Sequence, residues 1–213
     1  MAETDTRDKL KRIIIAHGNA AVAFSGGVDS TLLAKICHDL LGNRSIAITI
    51  VSPLFPRSEL ESAKKLASRI GIRHEIIEEH GIDETVAVNT PDRCYHCKKI
   101  EFSSITARAA ELGFTAVFDG SNVDDLKDYR PGKRALEELH ISSPLREAGM
   151  TKDDIRAYSK ELGLETWDNP ALACLASRIP YGERITEESL SRIDKAEDFL
   201  RSLGLRQFRV RSH

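Results

Sequence analysis

Two groups of residues in this chain carry chemistry by type and spacing. The first is Ser25-Gly26-Gly27-Val28-Asp29-Ser30. Adjacent glycines let a backbone approach an anion and turn its N–H groups towards it. A helix opening directly behind them adds roughly half a positive charge at its N-terminus. The Ser25 and Ser30 hydroxyls offer further donors, and Asp29 serves as helix N-cap, as magnesium ligand, or as both. This is a polyphosphate site. It is not a Walker loop, which ends in Gly-Lys followed by Ser or Thr. The second group is Cys94-Tyr95-His96-Cys97, in a segment that begins Thr90-Pro91-Asp92 and reads as a loop, together with Cys174 much later. Two thiolates at C-x-x-C spacing clamp one metal or cluster. Three thiolates can hold a [4Fe–4S] cluster and leave one iron open for an extra sulfide. They can equally hold zinc with His96 or His80 as a fourth ligand, or remain free thiols or a redox disulfide. Their company with a polyphosphate loop favours the cluster. Cys37 sits within a predicted helix beside its apolar stripe and reads as a packing residue.

The elements that must position these groups alternate in type. Lys9 to His17 predicts a helix and Ala20 to Phe24 a strand that leads into the glycine loop. Leu32, Leu33, Ile36 and Leu40 recur at helical spacing over Asp29 to Leu41, with Gly42 placed to end the helix. Ser45 to Val51 predicts a second strand, Ser58 to Ile70 a helix, and His74 to Ile77 a third strand. Ile100 to Leu112 follows as a helix and Ala116 to Asp119 as a fourth strand. Strands separated by helices of this length imply a parallel sheet, and unbroken apolar runs imply cover on both faces. The fold class is therefore α/β, an open, mostly parallel sheet with helices on both faces. Ligands bind such sheets beyond the strand C-termini, where the glycine loop falls. Thr151 to Leu162 is a helix capped by Thr151, and Asp168 to Tyr181 reads as an ordered loop. Thr186 to Leu203 is a further helix without a full capping box, since its N3 residue is Ser189, and Gln207 to Arg211 reads as a strand. The organisation expected is a nucleotide domain over 1–165 and the start of a second region over 166–213, continuing past the last residue.

Composition narrows the function classes. Of 213 residues, 41% are hydrophobic and 30% charged, an ordinary soluble balance. No apolar run nears the ~18 residues of a membrane span, and no export signal opens the chain. The expected setting is the reducing cytoplasm, with no membrane partner. A net charge of −2 argues against an extended nucleic-acid surface.

The six-residue loop resembles that of the PP-loop, or N-type ATP pyrophosphatase, superfamily. These enzymes split ATP between its α- and β-phosphates and leave AMP on the substrate. Asp119-Gly120-Ser121-Asn122-Val123-Asp124-Asp125 is similar to a second loop that lies across the nucleotide there. The ATP contacts implied are Ser25, Gly26, Gly27, Asp29, Ser30, Gly120, Ser121 and Asn122, with Thr49 and Val51 beside the adenine. Asp128-Tyr129-Arg130-Pro131-Gly132, Ser143-Pro144-Leu145 and Cys174-Leu175-Ala176-Ser177-Arg178-Ile179-Pro180-Tyr181-Gly182 carry the resemblance further. Together they look like the LarE family of sulfur transferases, which make the nickel-pincer nucleotide of lactate racemase. The resemblance runs from about residue 8 to the end of the chain.

It implies ATP and Mg²⁺ as cofactors and a small nucleotide, pyridinium-3,5-biscarboxylate mononucleotide, as substrate. A carboxylate is adenylated and sulfur then displaces AMP. Cys174 matches the sulfur-donating cysteine, which one branch sacrifices to dehydroalanine. The additional Cys94 and Cys97 resemble the branch in which a [4Fe–4S] cluster on three cysteines, fed by sulfide or another sulfur donor, replaces sacrifice. Ser177, Arg178, Arg209 and Arg211 match positions near the substrate phosphate, and Glu197 a metal-site carboxylate. A homo-oligomer is implied as well. The rival enzyme is a tRNA thiolase, which also pairs a PP-loop with three cysteines. A rival of another class is a non-catalytic nucleotide or cluster carrier.

Overall fold

The computed structural model describes residues 2–127, 131–170, 173–205 and 207–212. Asp128, Tyr129 and Arg130, part of one motif above, lie outside the described residues. Strands β1 (Ala20–Ala23), β2 (Ser45–Val51), β3 (Arg73–Glu78) and β4 (Val117–Phe118) form a parallel sheet in the order β3-β2-β1-β4. The expected strands are all present, β4 shorter than its apolar run. Val22 stands opposite Ala47 on one side and Phe118 on the other. The order turns back at β1, so the loop leaving β1 lies where the sheet's connections diverge and a crevice opens.

The helices are α1 (Ala2–His17), α2 (Val28–Leu41), α3 (Arg57–Ile70), α4 (Glu84–Ala87), α5 (Arg93–Glu111), α6 (Gly132–Glu138), α7 (Pro144–Ala148), α8 (Lys152–Glu161) and α9 (Glu187–Ser202). Strand alternation sends Ala20, Val22 and Ala47 to one face, where Ile14, Leu33, Cys37, Leu66, Leu145 and Ile155 cover them. It sends Ala21, Ile46 and Ile48 to the other face, beneath Phe102, Ile105 and Ala109 of α5 and Leu136 of α6. Cys37 is fully buried in the first core, as a packing residue should be. A third core joins Leu54 and Val86 to Leu175, Ala176, Ile179, Ile185, Leu190 and Ile193. It draws on residues from both sides of position 165. Among the described residues, no helix is long and apolar enough to cross a membrane.

The structure departs from the sequence reading in four places. Helix α1 begins well before Lys9. Helix α5 begins at Arg93, so Cys94 and Cys97 lie on its first turns and not in a loop. The apolar stripe towards the sheet starts only at Phe102, because the preceding turns face the third core, where Cys97 and Ile100 lie against it. Ser189 completes the cap of α9 after all. It accepts from the Thr186 N–H at 3.2 Å while its own N–H donates to Thr186 Oγ1 at 3.2 Å. Residues 207–212 form no strand. Their backbone bonds elsewhere, from the Val210 N–H to Glu197 and from the Ser212 N–H to the Arg178 carbonyl.

Candidate active site

The phosphate loop takes its shape from itself. Gly26 adopts φ +75°, open to glycine and strained for other residues. Helix α2 starts at Val28 with Gly27 as its N-cap. Asp29 is therefore inside the first turn and does not cap it. Ser30 is buried, and its hydroxyl holds the loop closed by accepting from the Ser25 N–H and donating to the Gly27 carbonyl, each at 3.3 Å. The loop's amides and the α2 N-terminus face a cavity of about 620 Å³.

The second loop closes on the first. A Cβ at Gly120 would stand 3.2 Å from the Ser30 amide nitrogen and 3.3 Å from Asp29 Cβ, so a side chain there would press the two loops apart by a few tenths of an ångström. Buried Asp119 accepts from Ser143 Oγ and Ser121 Oγ, and from the Ser121 N–H at 3.1 Å, which fixes the loop and ties in the Ser143-Pro144 segment. Asn122 Nδ2 donates to Asp29 at 3.3 Å. Lys152, at the start of α8, donates to the other oxygen of Asp29 at 2.5 Å. The cavity thus gathers Ser25, Gly27, Asp29, Ser30, Gly120, Ser121 and Asn122, all expected, and adds Lys98, Lys133, Arg146 and Lys152. These cations escaped the sequence reading because single lysines and arginines on helices look like solvated faces. Only the fold turns them inward. Burial pulls Lys98 down, but Glu101, Cys97 and Asp119 outweigh it and hold the ammonium above the ordinary lysine range.

Thr49 and Val51 do not line this cavity; Ile48 and Ile50 do. The period of a strand puts alternate residues on opposite faces. Buried Thr49 donates to the Phe24 carbonyl at 2.6 Å and pairs with His74 Nε2 at 2.8 Å.

The thiols stand at the far end of α5's cavity wall. Cys97 S–H donates to Glu101 at 3.5 Å, and Glu101, Lys98 and Phe102 line the nucleotide cavity. Burial raises the Cys97 thiol well above its ordinary value, with Glu101 and Cys174 adding to the rise. Cys174 opens a 3₁₀ turn over Leu175–Arg178 and is exposed, yet the protein around it raises its thiol, opposed by Arg93 and helped by Cys94. Arg93, whose Nη2 stands 4.0 Å from Cys94 Sγ and whose Nη1 donates to the Ala176 carbonyl, links the first turn of α5 to the loop of Cys174. Among the described residues, no three His, Cys, Asp or Glu side chains are arranged to hold a metal ion.

A smaller cavity of about 260 Å³ lies beside them, lined by Arg93, Ser177, Arg178, Ile179, Pro180, Tyr181 and Arg211. It unites three of the four residues expected near a phosphate; Arg209 stays outside. Arg178 is 6% exposed and its guanidinium is already engaged. It grips Glu197 through Nε at 2.8 Å and Nη2 at 2.9 Å, while Nη1 donates to the carbonyls of Ala173 at 2.8 Å and Cys174 at 3.0 Å. Glu197 is itself 3% exposed and faces this arginine, with a further bond from the Val210 N–H at 3.1 Å. Its surroundings are those of an ion-pair partner and not of a metal ligand. Arg93 is buried too and its Nη1 is committed to Asn89 Oδ1 at 2.6 Å and the Ala176 carbonyl at 3.1 Å, which leaves Arg211 as the lining cation best placed to meet an anion.

Comparison with known proteins fits this geometry. A family model for NAD synthase matches residues 6–111, the segment that carries the phosphate loop. The chain is 47% identical over 206 residues to an uncharacterized protein, slr1717, of Synechocystis, covering 96% of this chain and 77% of that one. It is 40% identical over 194 residues to the pyridinium-3,5-bisthiocarboxylic acid mononucleotide synthase of Lactiplantibacillus plantarum, covering 90% and 70%. It is 27% identical over 191 residues to the tRNA-specific 2-thiouridylase MnmA of Rickettsia felis, covering 70% and 51%. Identity of this order with the mononucleotide synthase, over most of both chains, places the sequence in the LarE family of PP-loop enzymes, the ATP-dependent sulfurtransferases.

Proposed function

We propose that this enzyme adenylates a carboxylate of pyridinium-3,5-biscarboxylate mononucleotide and replaces AMP with sulfur, using sulfide held at a three-cysteine site. One observation carries the reading. Helix α5 brings Lys98, Glu101 and Phe102 to the phosphate-loop cavity and carries Cys94 and Cys97 just before them, with Cys97 bonded to Glu101. This juxtaposition supports reading activation of a carboxylate and delivery of sulfur as the work of neighbouring turns of one helix. We assign 1–165 to the nucleotide domain and 166–213 to the region that brings Cys174, Ser177 and Arg211 to its edge.

In the first step a substrate carboxylate oxygen attacks the α-phosphorus of ATP. The new O–P bond forms as the bond to pyrophosphate breaks. The loop amides, the α2 N-terminus, Lys152 and the cationic Lys98 oppose the charge that develops on the leaving pyrophosphate. Asp29 is the carboxylate that would hold Mg²⁺, which would add charge neutralisation there, and Lys152 is the cation paired with that carboxylate. In the second step hydrosulfide adds to the acyl carbon. The C–S bond forms, the C–O bond to AMP breaks, and AMP leaves as the monophosphate. Arg211 suits the substrate's own phosphate through charge-assisted hydrogen bonds, with Ser177 beside it in the same cavity.

Cys94, Cys97 and Cys174 suit a [4Fe–4S] cluster by donor type, and Cys94 and Cys97 by their one-turn spacing on α5; as they stand the three side chains are not gathered round one metal position, so Cys174 would have to close on the other two to hold it. When bound, that group supplies an open iron to hold the sulfide. The test is anaerobic purification with iron and sulfide analysis, then thiolation assays on single Cys→Ala variants. Each of the three changes should abolish the brown chromophore and thiolation while pyrophosphate release persists; Cys37→Ala should do neither. Dehydroalanine at position 174 in amounts equal to product would replace the cluster with sacrifice of Cys174. Tight zinc without iron would leave a structural site.

A further inference from the structure

Cys174 belongs to a loop far in sequence from Cys94 and Cys97, so something must dock that loop against α5. The residue that does so is Asn89, which is fully buried and adopts φ +58°. Left-handed backbone is uncommon outside glycine, and asparagine tolerates it better than most residues. Its hydrogen-bonding groups are used across the gap. Nδ2 donates to the carbonyls of Pro180 at 2.8 Å and Glu183 at 2.9 Å. Oδ1 accepts from Arg93 Nη1 at 2.6 Å. Its backbone carbonyl accepts from the Gly182 N–H at 3.0 Å, and the neighbouring Ala87 carbonyl accepts from the Ile185 N–H at 2.8 Å. Arg93 completes the clasp by donating to the Ala176 carbonyl at 3.1 Å. Just ahead of the first two thiols, a single side chain thus fastens the middle of the segment that follows the third, while Arg93 and the Ala87 carbonyl hold its ends.

We infer that Asn89 is a positioning residue: it clamps the 176–185 loop to the start of α5 and so holds Cys174 beside Cys94 and Cys97. Asn89 lines neither cavity itself; its partners Arg93 and Pro180 line the smaller one, and none of its bonds reaches the phosphate loop, so its effect is on placement and not on nucleotide binding. A buried carbonyl deprived of its donor costs more than the bond gained when it is present, which makes one asparagine sufficient to hold a loop. The inference rests on the reading of the three thiols as one site. It is tested by thiol geometry alone, so it stands or falls separately from sulfur transfer.

The test uses the full chain, reduced and freed of metal by chelation, and a short bifunctional reagent, o-phenylenedimaleimide. Cross-links from Cys174 to Cys94 or Cys97 are assigned by mass spectrometry, and Cys37 serves as the fold control because it is fully buried. Asn89→Gly keeps the left-handed backbone without strain and removes the side chain. Asn89→Asp keeps an acceptor for Arg93 and loses both donors. Both variants should cross-link at least about tenfold more slowly, the factor that ~1.4 kcal/mol of docking free energy makes. Cys37 should stay unreactive, and affinity for a non-hydrolysable ATP analogue should stay within about twofold of the parent. Cross-linking at the parental rate in either variant overturns the clamp. Should both variants expose Cys37, the parent decides. Its Gly182 and Ile185 amides should be protected from hydrogen exchange together, and unprotected amides there refute the clamp.

Discussion

Removing the Glu197 carboxylate should destabilise the fold severely. Arg178 and Glu197 are 6% and 3% exposed and are joined by two parallel bonds of 2.8 and 2.9 Å. Taking away one member of such a pair leaves a buried, unpaired charge and costs roughly 3–5 kcal/mol. The Val210 N–H also loses its acceptor, which adds about 1 kcal/mol. For a chain of this size each kcal/mol shifts Tm by roughly 2–4 °C, so Glu197→Ala should lower Tm by about 8–24 °C. Replacing both partners by apolar residues of similar volume, Arg178→Met with Glu197→Leu, removes the stranded charge. The double variant should therefore melt higher than Glu197→Ala alone. Thermal unfolding followed by circular dichroism gives both values. A Glu197→Ala shift below about 2 °C would refute the reasoning. So would a Tm of the parent that rises with Mg²⁺ or Mn²⁺ when that of Glu197→Gln does not, since Glu197 would then be a metal ligand.

Two further outcomes follow from the site and the sheet. Asp29→Ala and Ser30→Ala should each lose pyrophosphate release with the fold intact, the first by removing the partner of Lys152 and Asn122, the second by opening the loop that Ser30 closes. Release at the parental rate in either variant removes that residue from the loop's function. His74 is held below its ordinary value of 6.5 by burial and by Lys64, with Glu75 opposing. The unfolded chain thus takes up this proton more readily than the folded one. The contribution of His74 is complete above the unfolded value and is lost as pH falls below it towards the depressed folded value. Urea unfolding at stepped pH should show stability declining below about 6.5, with a shallower decline in His74→Gln. Equal slopes in the two proteins would exclude His74 as a source.

Much of the candidate site was legible because its signals are local. Gly26, Gly27 and Ser30 act on backbone within their own loop, and Gly120 on the loop that it must let approach. Such steric demands are written into residue type at fixed spacing. The parallel sheet was legible for a similar reason: Ile46, Ala47, Ile48, Ile50 and Val51 give an apolar run with no polar alternation, as suits a strand covered on both faces. Helix α5 was cut short because periodicity reports the face turned to the sheet, while its first turns answer to a different core.

The sequence by itself determined the strand–loop–helix phosphate site, the α/β class and the presence of three thiols with the right chemistry for one centre. The tertiary structure decided which of them meet. It turned Lys98, Lys152 and Arg146 into a cavity, since a cation's direction on a helix depends on what packs behind it. It moved Thr49 off that cavity by the phase of one strand, which no composition encodes. It spent Arg178 on Glu197 instead of leaving it for a ligand. It gave Asn89 a place among carbonyls far along the chain, and long-range pairing of this kind is fixed by packing and not by spacing.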